Sequence, residues 1–200
     1  MTWEAIGGMG SYLVAVIVVR SILSRRSRGT RFVVLRVGHW QPAEWLAALL
    51  AASSIVFMVG GTVLAALGHP GPMVSAEWPV WIAGTALMAG GTGLMAWSQI
   101  SMGASWRVGL DREQSTVLVR KGPFGWMRNP IYSSMVAVFA GVTLLVPSAL
   151  VAGGWVILVS FVEWQVRVVE EPFLIHAHGG EYFGWAQKVG RFLPRIGLIR

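Results

Sequence analysis

The sequence contains no cysteine. That single absence removes disulfides, thiolate metal ligands and a cysteine nucleophile, and leaves the redox compartment unmarked. Charge is nearly as scarce: 12% of residues are charged, and only 9 of the 200 are Asp or Glu. So few polar groups cannot clothe a soluble domain of this size. Histidine is also rare, and the one close pair, His176 and His178, sits two residues apart with no third ligand, so no metal centre is expected. What is abundant is apolar. Hydrophobic residues make up 54% of the chain, the mean hydropathy is +0.61, and 11 tryptophans are available as anchors at a lipid interface. The composition is that of a polytopic membrane protein.

The net charge of +7 raises the question of nucleic acid, and the placement of the charge answers it. All 16 Lys and Arg residues fall in three segments, 20–36, 107–128 and 167–200, separated by apolar spans. The short connections near 68–77 and at Pro147 carry none. This alternation fits the positive-inside rule, with three basic segments on the cytoplasmic face, and does not fit a nucleic-acid footprint. The arginine-rich segment 20–36 reads as a loop meeting anionic headgroups.

Apolar runs at about 5–22, 43–67, 78–100, 131–146 and 148–166 predict an all-α integral membrane protein with five transmembrane helices. The N-terminus is expected outside and the C-terminus in the cytoplasm, with the protein in the cell (inner) membrane. The first run lacks the basic start and clear cleavage site of a signal peptide and reads as a retained helix. Residues 1–100 then form a three-helix membrane region. Residues 101–200 comprise a cytoplasmic loop, 101–130, a helical hairpin, 131–171, and a cytoplasmic tail, 172–200. In the third run, Gly84, Gly90, Gly91 and Gly93 offer small faces for close helix packing.

The polar stretch before the fourth span carries the most punctuation. In Gly122-Pro123-Phe124-Gly125-Trp126-Met127-Arg128-Asn129-Pro130-Ile131-Tyr132, each proline restricts the residue before it, which pushes Gly122 and Asn129 toward extended geometry. Pro130 suits the first turn of a helix, placing Asn129 near its N-cap and Arg128 beside its positive end. At the far end of the hairpin, Glu163, Arg167, Glu170 and Glu171 follow at spacings that share one α-helical face, where Arg167 can pair with an acid on either side. Pro172 is expected to end or kink that helix, leaving two carboxylates against an unfavourable helix dipole. Ionisable groups clustered at the rim of a membrane bundle point to a functional site.

Taken together, Gly122-Pro123-Phe124, Arg128-Asn129-Pro130-Ile131-Tyr132, Glu170-Glu171, Gly180-Glu181-Tyr182 and Arg191-Phe192-Leu193-Pro194 resemble, in order and spacing, the isoprenylcysteine carboxyl methyltransferase family and its phospholipid methyltransferase relatives. The resemblance covers roughly residues 100–195. It implies an S-adenosylmethionine-dependent methyltransferase that holds its cofactor between the loop before the hairpin and the tail after it, while a lipid-like acceptor enters from the bilayer. Carried over to this sequence, it implies catalytic roles for Arg128, Tyr132 and Glu171. Cofactor contacts fall to Gly122, Pro123, Phe124, Arg128, Asn129, Tyr132, Glu170, Glu171, Tyr182, Arg191 and Pro194, and acceptor contacts to Trp106, Arg107, Glu163 and Arg167. Where many members carry histidine this chain has Asn129, which offers both a donor and an acceptor. The residues suit that chemistry independently: a sulfonium and an ammonium favour carboxylates and aromatic faces, and Arg128 or Arg191 suits a carboxylate. For an amine acceptor, Glu171 is the candidate base. Two other classes remain open on the sequence, an NADPH-dependent membrane reductase similar to steroid reductases and a non-catalytic membrane scaffold.

Overall fold

The computed structural model describes residues 2–26, 40–68, 77–103 and 118–199. Most of the arginine-rich segment, the turn after residue 68, and Trp106 and Arg107 lie outside the described residues. The elements are α1 Thr2–Arg26, α2 Pro42–Ala66, α3 Trp78–Met102, a 3-10 turn Gly122–Gly125, α4 Pro130–Leu145, α5 Ala149–Trp164, a π-helical segment Gln165–Glu170, α6 Glu171–His178 and α7 Gly180–Ala186. Among the described residues there is no strand, only isolated bridges pairing Met127 with Gly190 and Leu193 with Ile196.

Among the described residues, four helical stretches are long and apolar enough to cross a membrane: Thr2–Val19, Pro42–Ala66, Trp78–Met102 and the continuous Ala149–His178. The fourth expected span, α4, is apolar but has 16 residues. At helical rise that is about 24 Å, shorter than the hydrocarbon core. It packs at the centre of the bundle, with Ser134, Val138, Gly141, Val142 and Leu145 all buried.

Side-chain contacts fix the directions. Trp81 Nε1 donates to Glu4 Oε2 at 2.8 Å, Gly8 faces Met88, and Tyr12 clusters with Met95, so α1 and α3 run parallel. Gly84 lies against Leu145 and Gly91 against Ser134, which makes α4 antiparallel to α3. Met58 meets Gly154, and Trp164 Nε1 donates to the Ala43 carbonyl at 3.0 Å, which makes α5 antiparallel to α2. Ser148 caps α5 by accepting from the Val151 N–H at 3.2 Å and closes the hairpin at Pro147. The end of α3, the start of α4 and the end of α5 therefore meet at one end of the bundle.

Glycine sets how closely α3 and α4 approach. A Cβ on Gly91 would lie 2.6 Å from Val138 Cγ2 and 2.9 Å from the Ser134 carbonyl oxygen, and one on Gly141 would lie 2.5 Å from the Gly84 carbonyl oxygen. In a bilayer, where lipid tails compete for apolar contacts, such backbone approach is a main source of helix association. The glycine cluster of α3 divides accordingly. Gly84 and Gly91 face α4, whereas a Cβ on Gly90 or Gly93 would meet no atom of the described residues within 4 Å, so these two take no part in the close approach of α3 to α4.

That division predicts opposite outcomes within one helix. Gly91→Val should force α3 and α4 apart and cost roughly 1–3 kcal/mol, as overpacking does, while Gly93→Ala should leave stability unchanged or slightly raised. Thermal unfolding midpoints in detergent read both variants, and equal effects would refute the glycine-mediated contact.

Candidate functional site

The proline-glycine stretch turns twice, as its composition requires, but with different backbone geometry from the expectation at its start. Gly122 adopts φ +62° rather than an extended conformation, and Lys121 is the extended residue. The cause is proximity: a Cβ at Gly122 would overlap Ser101 Oγ, so this position must lie against the end of α3 and be glycine. Pro123 and Phe124 are buried beneath α7, where Phe124 packs with Tyr182, Trp185, Ala186 and Val189. Pro130 opens α4, but Asn129 does not cap it with its side chain. Instead Asn129 Nδ2 donates to the Arg191 carbonyl at 3.1 Å.

This contact belongs to a larger seam. The Arg128 N–H donates to the Gly190 carbonyl at 2.8 Å, the Asn129 N–H to the Arg191 carbonyl at 3.0 Å, and Ser133 Oγ to the Phe192 carbonyl at 2.6 Å. The tail thus returns across the start of α4. Beneath the seam lies a buried knot of charge. Arg128 Nη2 pairs with Glu171 Oε1 at 2.6 Å, and Arg191 Nη2 with Glu171 Oε2 at 2.8 Å, while Arg191 Nε donates to both oxygens at 3.0 Å. Arg128 also donates from Nη1 to the Ala186 and Val189 carbonyls, at 2.9 and 2.5 Å, and from Nη2 to the Gly197 carbonyl at 3.1 Å. Only its Nε lacks a partner. Glu171 is 5% exposed and Arg128 4%, so the pair is sealed from solvent. Hydrogen bonds to the Glu171 carboxylate hold the Arg191 guanidinium above its ordinary range.

The two adjacent glutamates face different neighbours, and the helix that carries them changes pitch between α5 and α6. The Glu171 N–H reaches back five residues to the Val166 carbonyl. This wider turn accommodates Pro172, whose ring would clash with the carbonyl four residues back in a regular α-helix. Pro172 therefore does not end the helix, which continues to His178, and the carboxylates stand within it rather than at its C-terminus. Arg167 pairs with the acid four residues before it, Glu163, on the exposed surface, and has no ion pair to Glu170 or Glu171 among the described residues.

Glu170 turns toward α4. Tyr132 Oη donates to Glu170 Oε1 at 2.5 Å, and Gln165 Nε2 donates to the same oxygen at 3.1 Å. The Tyr132 ring also stands edge-on to Phe161, with centroids 6.2 Å apart. All three polar residues are half-buried, in contrast to the sealed Arg128 and Glu171. Nothing in the sequence singles out Gln165, and α-helical spacing gives no reason to do so: five residues from Glu170 is out of register until the turn becomes π-helical.

The other expected contacts are distributed around this centre. Tyr182 is buried beside Trp185, whereas Pro194 is exposed at the tip of the tail. Gly190 lets the tail fold this tightly, since a Cβ there would overlap the Leu193 carbonyl oxygen. Glu181 pairs with Arg120 at the surface. On the opposite side of the π-helical segment a cavity of about 430 Å³ opens toward the start of α2, lined by Gln41, Glu44, Val168, Pro172, Phe173 and His176 among others.

Two outcomes follow from this arrangement. Glu171→Gln leaves two guanidiniums without their carboxylate, one of them fully buried, and should destabilise the fold by about 3–5 kcal/mol; limited trypsin digestion should cut the tail far faster, whereas Glu181→Gln, in an exposed pair, should behave as wild type. Burial, and then the negative charge of Glu171, push the Tyr182 hydroxyl up to about 12 from 10.0. The folded state therefore keeps this proton after the unfolded state has lost it, so stability is intact below pH 10 and falls as the pH rises toward 12. Tyr182→Phe should flatten that alkaline fall in a melting-point profile.

Part of the site, from α4 through both glutamates, falls within a recognised sequence pattern, and the tail lies beyond it. The family model for phospholipid methyltransferase matches residues 80–181, just over half of the 200 residues, running from the first turn of α3 to the start of α7. No curated protein gives a significant match to the chain. The match takes in α4, the π-helical segment and both glutamates within a set of membrane-length helices, and on that basis the chain belongs to the phospholipid methyltransferase family.

Proposed function

We propose that this protein is an integral membrane methyltransferase that uses S-adenosylmethionine to methylate a lipid-like or amphiphilic acceptor, with its active site on the cytoplasmic side of the cell (inner) membrane. The observation that carries the reading is the convergence at one bundle end of Tyr132, Glu170, Glu171, Tyr182 and Arg191, five residues spread over some 60 positions of sequence. S-adenosylmethionine carries a sulfonium, an ammonium and a carboxylate, and a site for it needs charge of both signs beside aromatic surface. The residues present fit that requirement. Glu170 has no cation paired to it among the described residues, Tyr132 and Phe161 supply aromatic surface, and Arg191 retains partial exposure.

When bound, S-adenosylmethionine supplies an activated methyl group. The chain's task is to align the acceptor and exclude water, since displacement at a sulfonium needs no strong acid. In this reading Arg128 and Glu171 act as positioning residues: nearly all their hydrogen-bonding capacity is spent on each other, on Arg191 and on tail carbonyls. Holding the tail over the start of α4, they keep Tyr182 and Arg191 in place. With both oxygens held by guanidiniums, Glu171 has little capacity left for the base role expected of it with an amine acceptor. Trp106, Arg107, Glu163 and Arg167 remain candidates for acceptor contact.

The reading is tested on detergent-purified protein by thermal shift with S-adenosylmethionine, S-adenosylhomocysteine and NADPH. Either adenosyl sulfur compound at about 100 times its Kd should add about 2.7 kcal/mol to apparent stability, NADPH should add none, and a labelled methyl group should pass into membrane lipid extract. Stabilisation by NADPH alone would replace this reading with a reductase.

A further inference from the structure

The two neighbouring glutamates are built for different tasks, and the difference can be traced to one residue. Both oxygens of Glu171 are taken by guanidinium groups. Glu170 has donors on one oxygen only: Tyr132 Oη at 2.5 Å and Gln165 Nε2 at 3.1 Å both reach Oε1, and neither addresses Oε2. The donors come from two directions, one from the first turn of α4 and one from within the same helix. Two donors on one oxygen fix the rotation of a carboxylate, because any turn about its Cγ–Cδ bond breaks one or both. A neutral clamp of this kind orients the group without cancelling its charge, whereas an arginine does both. Polar groups are retained in an apolar bundle only where partners or ligands satisfy them.

We infer that Tyr132 and Gln165 form an orienting clamp that presents the second oxygen of Glu170 to the sulfonium of S-adenosylmethionine, making Gln165 a positioning residue for a cation site. The inference rests on the methyltransferase reading above and narrows it to one group of the ligand. The π-helical turn is what makes the clamp possible: it brings position 165 over position 170, a spacing that a regular α-helix places out of line. The half-buried state of Tyr132, Gln165 and Glu170 leaves the open oxygen approachable, while the sealed Glu171 is not.

The test exploits the one difference in charge between substrate and product. S-adenosylmethionine carries the sulfonium charge and S-adenosylhomocysteine does not, while both share the adenosine, ammonium and carboxylate groups. Affinities for both compounds are measured by isothermal titration on intact, detergent-purified wild type and Gln165→Met. Loss of a donor to a charged group should lower affinity for S-adenosylmethionine about tenfold and leave that for S-adenosylhomocysteine within about twofold. Gln165→Ala removes the same donor and supplies the same comparison if Gln165→Met does not purify as folded protein. Equal losses for both compounds, or none for either, would overturn the clamp while leaving the methyltransferase reading standing. Failure of the wild type to bind either compound would remove that reading and the clamp with it.

Discussion

Burying the Glu171 carboxylate costs several kcal/mol unless its charge and its lone pairs are both answered, and the architecture at this end of the bundle follows from how they are answered. Two guanidiniums are needed, and they come from opposite ends of the functional half: Arg128 just before α4 and Arg191 after α7. One side chain thereby joins three segments that have no regular hydrogen-bonded ladder between them. The same constraint explains the use of Arg128. The tail after α7 is irregular, and the guanidinium aimed into it donates to the carbonyls of Ala186, at the end of α7, and of Val189 and Gly197. Lysine, with its compact ammonium, lacks the planar fork that reaches a carboxylate and several carbonyls together.

The wider helical turn is the second constraint, and its cause lies in sequence. Pro172 follows directly on the two glutamates, where a regular helix would suffer a ring clash and lose a hydrogen bond. Opening the turn to a five-residue reach removes the clash and lets the helix continue to His178. Two adjacent acids would repel each other in one environment; with one against two arginines and the other against a phenol and an amide, they are separated in function as well.

Much of this is legible in the sequence. The apolar runs locate every long helix, Pro147 and Ser148 mark the hairpin, and the motifs that converge at the site are the ones whose residue types demand partners. What stays hidden depends on geometry that residue spacing alone does not encode. Gln165 and Glu170 pair only at π pitch. The left-handed Gly122 is set by Ser101, 21 positions upstream, and no local rule for a residue before proline anticipates it. Gly90 and Gly91 look equivalent in sequence, and only the orientation of α3 against α4 makes one close-packed and the other open. Asn129 is expected to serve its own helix; the tail competes for its side chain and wins, because the Arg191 carbonyl has no ladder partner there beyond the Asn129 N–H.

The shortness of α4 then acquires a physical role. Its 16 residues stand between α3, with 25, and a continuous helix running from Ala149 to His178. Ile131, at its first turn, packs level with Met95, so α3 continues for about two more turns beyond the start of α4. On the other side the α5–α6 helix also continues past Trp164, carrying Glu170 and Glu171. The first turn of α4, which carries Tyr132, therefore lies below the ends of its two neighbours, beside the helix that carries the glutamates and beneath the tail, whose Arg191 and Phe192 carbonyls accept from Asn129 and Ser133. In the proposed reaction a water-soluble and a lipid-like reactant must meet, and a site at the start of a short helix between longer ones lies closer to the apolar layer than one at the ends of its neighbours.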